Sequence, residues 1–150
     1  MGGSWEHQIR TVRNVLAPLL EECGNPLNDE SFRTLMKEVQ AIVNSPPLAL
    51  NDMSSPDSAE PLTPNHLLAT KTKVETPPPG VFVREDIYPR KRWRRVQHLA
   101  NLFWERWRKE FLQTLQLGKK WVKPQRNMLV CDIVVIKDEN APRNTWKLAR

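Results

Sequence analysis

Apolar residues recur every three or four positions in three stretches of the sequence, and this spacing constrains the fold more than any other feature. Two stretches cover about residues 5–22 and residues 28–45, before Pro46 and Pro47. The longest, about residues 90–117, has its apolar positions at Trp93, Val96, Ala100, Phe103, Trp107, Phe111 and Leu115. A period near 3.6 is that of a helix with one buried face. The chain is therefore predicted to be mostly helical.

Local signals predict where these helices begin and end. Ser4 is predicted to cap the first helix, and Pro18 to kink or end it near its last turn. Asn28 is predicted to cap the second. Thr63 and Pro64 are typical of the cap and first position of a further short helix. The first two helices together form a predicted hairpin.

The end of the chain changes its period. Residues 128–136 are rich in β-branched side chains, residues 137–140 have turn composition, and residues 145–150 predict a second strand. Two strands are a poor independent unit, so they are predicted to belong to a partial β-barrel. The predicted fold class is α+β and mostly α: a helical hairpin, a Pro-rich linker, a long basic helix and the partial barrel.

Charge is uneven along the chain. Residues 1–83 carry 6 Lys/Arg against 10 Asp/Glu, and residues 84–150 carry 17 against 7, so the second part has a net charge of +10. A basic half favours a polyanion, with nucleic acid the first candidate and an acidic membrane surface the second. The alternative is a solvated helix face. The predicted phosphate-binding residues are Arg90, Lys91, Arg92, Arg94, Arg95, Arg106, Arg108, Lys109, Lys119, Lys120, Lys123 and Arg126.

Four tryptophans lie among these cations, at Trp93, Trp104, Trp107 and Trp121. Aromatic rings beside Lys and Arg are typical of proteins that stack on exposed bases. The spacing of the tryptophans on the apolar stripe instead favours a buried helix face.

The other chemistry-bearing residues are isolated. Cys23 and Cys131 form no metal-ligand pair, and His7, His66 and His98 have no second ligand at helical spacing. A disulfide between the cysteines stays open, but their number fits a reducing compartment better. No apolar run approaches the roughly 20 residues that span a bilayer. We expect an intracellular protein with no metal, cofactor, small-molecule substrate or membrane partner. The basic run at residues 90–95 fits nuclear import or a plain helix face.

A series of strings occurs in one order along the chain: GGSWE at 2–6, EVQAIVNS at 38–45, PLTPNHLL at 61–68, WRRVQ at 93–97, FWERWRKEF at 103–111, DIVVIKD at 132–138 and PRNTWKLAR at 142–150. Together they resemble the integrase end of Pao/Bel-type long-terminal-repeat retrotransposon polyproteins. Residues from about 84 onward resemble the domain of unknown function that follows the integrase core. The chain departs from the family pattern at Pro18, Pro46 and Cys131, where the family has a helix former, Arg and Gly.

The resemblance implies three segments. Residues 1–45 would be the last helices of an RNase-H-like catalytic core, residues 46–83 a Pro-rich linker, and residues 84–150 a long helix with a truncated SH3-like barrel. Glu6 would be the remnant of the third metal-binding carboxylate, with its two Asp partners expected upstream of Met1. Mg²⁺ would serve only the intact parent integrase. Without the resemblance, Glu6 is a first-turn acid that complements the helix dipole.

These observations predict a retrotransposon-derived integrase fragment that is catalytically incomplete. It would retain at most non-specific DNA binding from the parent's role in DNA integration. Two alternatives remain, namely an inert remnant and a protein–protein interaction module that uses exposed apolar helix faces. The partner of such a module would be a second copy or full-length integrase.

Overall fold

The computed structural model describes residues 3–24, 26–48, 62–69, 80–84, 92–116, 127, 129–130, 132, 134–138 and 140–149. The elements within these ranges are α1 (Ser4–Glu22), α2 (Asp29–Val43), α3 (Pro64–Ala69), α4 (Arg92–Gln116), β1 (Val134–Val135) and β2 (Leu148–Ala149). The strands pair antiparallel, with Val134 opposite Ala149. The predicted class, α+β and mostly α, is confirmed.

The start of α1 differs from the prediction by one residue. Gly3 is the N-cap, in an extended conformation with φ −71° and ψ 169°, so Ser4 is already helical and its predicted capping role is wrong. Gly at an N-cap costs only a few tenths of a kcal/mol relative to the best caps, and the earlier start lets Glu6 N donate to Gly3 O at 3.1 Å. Pro18 lies within α1, which continues to Glu22. Gly24, with φ +68°, follows the helix end.

The predicted start of α2 is confirmed, because Ser31 N donates to Asn28 Oδ1 at 3.1 Å. The helix ends before Pro46 and Pro47, as expected. Its last carbonyls find donors nearby. Asn65 Nδ2 donates to Ala41 O at 2.8 Å, and Ser45 Oγ donates to Ile42 O at 2.7 Å.

The short helix α3 begins at Pro64, as predicted. Thr63 immediately precedes the helix, and the side chain of His66, in its first turn, hydrogen-bonds back to Thr63. His66 Nδ1 accepts from Thr63 N at 3.1 Å and lies 2.8 Å from Thr63 Oγ1. His66 therefore has a structural role, which agrees with the interpretation of the histidines as isolated residues.

The chain divides into two compact units. Unit 1 comprises Met1–Val39 and Pro79–Gly118, and unit 2 comprises Gln40–Pro78 and Lys119–Arg150. The predicted segments 1–45, 46–83 and 84–150 follow from the family resemblance, whereas the two units follow from contacts within the fold. The segments therefore stay a prediction.

The core of unit 1 lies where α1 packs against α4. Its buried apolar residues come from three helices: Val15, Leu16, Leu19, Cys23, Leu35, Val39, Val96, Leu99, Ala100, Phe103, Trp104 and Trp107. The stripe predicted for α4 is correct at its centre and wrong at its ends, where Trp93 is 50% and Leu115 63% exposed. Leu99 and Trp104, outside that stripe, are buried. The middle of α4 is thus buried on more than the one face that an amphipathic helix buries.

Unit 2 contains the β-hairpin. Its connection includes the predicted turn, where Asn140 N donates to Asp138 Oδ1 at 2.9 Å. Farther on, Thr145 N donates to Pro142 O at 3.1 Å, and Asn144 has φ 66°, a conformation that asparagine tolerates better than most residues. Trp146 Nε1 donates to Ser45 Oγ at 3.0 Å. The hairpin is therefore joined to the segment that follows α2, while the partial barrel stays a prediction.

None of the described helices combines the length and the apolar character that crossing a membrane requires.

Truncating the centre of the unit 1 core should destabilise the fold strongly. Phe103 is fully buried, so Phe103→Ala should lower the free energy of unfolding by about 3–5 kcal/mol through lost burial and the cavity left behind. The matched control is Phe32→Ala on α2, where the ring is 38% exposed and the expected loss is about 1 kcal/mol or less. Urea denaturation of both variants checks this. Equal losses would contradict the assignment of the core.

Candidate nucleic-acid interface

Half of the predicted phosphate-binding residues lie on α4: Arg92, Arg94, Arg95, Arg106, Arg108 and Lys109. The other half, together with Trp121, lie outside the described residues: Arg90, Lys91, Lys119, Lys120, Lys123 and Arg126. The structure therefore addresses the interface only along the long helix.

Two of the α4 cations bind the C-terminal end of α1. Arg106 Nη2 donates to both carboxylate oxygens of Glu22, at 3.1 and 2.8 Å. Arg95 donates to Cys23 Sγ from Nε at 3.3 Å and from Nη2 at 3.0 Å. The last turn of α1 has no basic residue of its own. The C-terminal end of a helix carries partial negative charge, which nearby cations stabilise. Arg95 and Arg106 of α4 supply the cations that the last turn of α1 lacks.

The charge around Glu22 changes its titration. The hydrogen bond from Arg106 lowers the pKa of the Glu22 carboxyl below its ordinary value of 4.5. Partial desolvation opposes this shift, while the positive charges of Arg106 and Arg84 add to it. The side chains of Arg106 and Glu22 are 42% and 58% exposed, so the pair is screened by water and contributes modestly to stability.

Arg108 lies inside unit 1 rather than on the surface of α4. It is 5% exposed, and its guanidinium lies 5.4 Å from the ring centroid of Trp104, one helical turn earlier. A planar guanidinium stacks well on an indole. A buried Arg108 has little surface for the phosphate contact predicted from its position among other cations.

The remaining α4 cations are more exposed. Arg92 and Lys109 are exposed and Arg94 is partly exposed. Within the described part of the chain, Arg92 and Lys109 are therefore the α4 residues of the predicted interface with the most surface open to a phosphate.

The three tryptophans of α4 differ in exposure. Trp107 is 4% exposed, as the buried-face interpretation predicts, and Trp104, which lies outside the predicted stripe, is also buried at 3%. Trp93 belongs to the stripe but is 50% exposed, so the interpretation is wrong there. The ring of Phe82 meets Trp93 at a centroid distance of 5.5 Å and an interplanar angle of 78°. Phe82 O lies 3.3 Å from His98 Nδ1, a contact that requires the proton on that nitrogen. The spacing of apolar residues within α4 did not predict these contacts with Phe82, which precedes the helix.

An apolar groove of about 300 Å³ lies between α1 and the second half of α4. The residues that line it are His7, Gln8, Thr11, Trp107, Phe111, Thr114 and Leu115. The rings of Trp107 and Phe111 are stacked at 5.0 Å. Thr11 and Thr114 donate their hydroxyl protons to backbone carbonyls of their own helices, which leaves their oxygens as acceptors. Sequence analysis missed this groove because its two walls are far apart in the chain.

Glu6 is an exposed residue in the first turn of α1. Within the described residues, no group of three or more His, Cys, Asp or Glu side chains is placed to hold a metal ion. Cys23 is a free, buried thiol, and Cys131 lies outside the described residues.

The Glu22 contact predicts a specific pH dependence. A lowered folded-state pKa means that this contribution to stability is fully present above the ordinary value of 4.5 and is lost as the pH falls through the lower, folded-state pKa. Glu22→Gln should therefore unfold at slightly lower urea concentration near neutral pH and lose less stability on acidification than the unchanged chain. Glu21→Gln, the neighbouring exposed carboxylate, is the control. Identical acid profiles for the Glu22 variant and the unchanged chain would contradict the assignment.

Comparison with known families gives a match over part of the chain. Residues 91–150 match a family of unknown function, DUF5641. Comparisons with curated proteins and with solved structures find no match. The second part of the chain, from α4 through the β-hairpin, is therefore similar to a protein family whose function is not established.

Proposed function

We propose that the chain derives from a Pao/Bel-type retrotransposon integrase and binds nucleic acid through phosphate contacts, without a catalytic centre of its own. The observation that carries this proposal is the net charge of +10 in residues 84–150. Lys and Arg side chains bind phosphates by releasing condensed counterions, which gives affinity with little sequence preference. DNA is the proposed partner, and a nuclear location follows from it.

The geometry of α4 sharpens this proposal. Arg95 and Arg106 stabilise the end of α1, and Arg108 is buried against Trp104. Arg92 and Lys109 are exposed. On α4, the phosphate contacts are therefore assigned first to Arg92 and Lys109. The partly exposed Arg94 is a further candidate.

The absence of catalysis is a separate part of the proposal. Two-metal strand transfer needs several carboxylates around two ions about 4 Å apart. Glu6 is supported here only as a first-turn acid that complements the dipole of α1. Mg²⁺-dependent nicking of DNA that disappears in Glu6→Gln would contradict this part.

A second candidate function is protein interaction, and the groove between α1 and α4 favours it. Its floor is aromatic, and Leu115 at its edge is 63% exposed. A hydrophobic contact is much less sensitive to salt than phosphate binding. Salt-insensitive self-association that Leu115→Glu abolishes would support this candidate.

The proposed phosphate contacts are tested by a charge reversal on α4. In Arg92→Glu/Lys109→Glu, loss of two phosphate contacts should reduce the slope of log affinity against log salt by about 1.8, since each contact contributes about 0.9. The measurement is binding of a labelled duplex across a salt series.

The control is Arg33→Glu/Lys37→Glu on α2, which also reverses one Arg and one Lys. Arg33 forms an ion pair with Asp29 at 2.9 Å, and both side chains are nearly four-fifths exposed, so its loss affects stability little. We expect the control to keep most of the salt slope. Equal slopes for the two variants would remove Arg92 and Lys109 from the interface, and no binding by the folded chain would overturn the proposed function.

A further inference from the structure

We infer that Trp93 is a stacking platform for an unpaired base, so that the nucleic-acid surface favours strands with unpaired bases over continuous duplex. The inference rests on the proposed function and names the class of nucleic acid that it recognises. The feature that carries it is the juxtaposition of a half-exposed indole with the exposed Arg92 and the partly exposed Arg94 at the start of α4.

The exposure of Trp93 sets it apart from the other aromatic residues of the helix. Trp93 is 50% exposed, while Trp104 and Trp107 are almost completely buried. A large aromatic side chain normally contributes most to stability when it is buried. The edge contact with Phe82, at 78° between the rings, covers at most one face of the indole.

The neighbourhood of Trp93 holds the ring in place. Phe82 is fixed to α4 by the contact between its carbonyl and His98 Nδ1, at 3.3 Å. Gly80, with φ +147°, has the Phe82 ring 3.2 Å from the position that a Cβ would occupy. Any other residue at this position would be strained and would crowd the ring. A platform that is rigid before binding loses less conformational entropy when a base stacks on it.

The charge around Trp93 identifies the occupant. Arg92 is exposed and Arg94 is partly exposed. Cations that follow a backbone, with an aromatic ring on which bases stack, are the features of proteins that bind single strands without sequence preference. In a continuous duplex the bases are already stacked, and exposing one costs a few kcal/mol of unstacking and unpairing.

The experiment compares a labelled single strand with a labelled hairpin duplex of the same composition. We expect Trp93→Leu to weaken single-strand binding about tenfold and duplex binding less than twofold. Leucine keeps an apolar contact for Phe82 but removes the flat surface. Trp93→Phe has a smaller ring, so its single-strand affinity should lie between that of the unchanged chain and that of Trp93→Leu.

The matched control is Phe32→Leu, which removes another partly exposed aromatic ring, on α2. It should leave both affinities unchanged. Circular dichroism and the urea midpoint establish that each variant is folded, and Trp93→Phe provides the test if the leucine variant is not.

The outcomes separate the two proposals. Equal weakening on both probes, or no weakening, overturns the stacking role. If duplex binding then keeps its salt slope, the phosphate-binding function stands without the platform. If the folded chain binds neither probe, both proposals fail. Self-association that is lost in Trp93→Leu, with no preference for the single strand, also overturns the inference and assigns the ring to a protein contact.

Discussion

The burial of most residues of α4 between Val96 and Arg108 is the constraint on which the rest of unit 1 depends. A helix covered on more than one face brings polar side chains into the interior, where they must find partners. Gln97 donates to Glu38 of α2 at 2.9 Å, and His98 binds the carbonyl of Phe82. These contacts connect α4 to α2 and to the segment before α4, so the polar residues specify how its neighbours pack.

The same burial separates the positive charges of α4 by their surroundings. Arg95 and Arg106 reach the C-terminal end of α1, where they meet Cys23 and Glu22. These contacts stabilise the fold, and charge reversal at Arg95 would disturb α1 as well as any phosphate contact. Part of the basic character of residues 84–150 therefore stabilises the fold. Only residues that face water, such as Lys109, are suited to a polyanion.

Local signals were sufficient for the helices. The strands predicted over residues 128–136 and 145–150 are limited, among the described residues, to Val134–Val135 and Leu148–Ala149. The helical period predicted α1, α2 and α4, and the short-range caps at Asn28 and Thr63–Pro64 were placed correctly because they involve residues within one turn. The predicted Ser4 cap was wrong by one residue, since Gly3 also serves as a cap. The burial of Trp104 and Arg108 and the exposure of Trp93 were not predictable, because periodicity identifies one face of a helix and not how many elements surround it. The groove was missed for the same reason, as its walls come from α1 and α4.

We propose that the cations of α4 are divided between those that stabilise the fold and those that bind nucleic acid. The most direct test measures both the free energy of unfolding and the salt dependence of DNA binding in two double variants, Arg95→Gln/Arg106→Gln and Arg92→Gln/Lys109→Gln. We expect Arg95→Gln/Arg106→Gln to lose stability while its folded molecules keep the salt slope, and Arg92→Gln/Lys109→Gln to keep its stability and lose slope. Loss of stability in the Arg92/Lys109 variant, or loss of slope in the Arg95/Arg106 variant alone, would contradict this proposal.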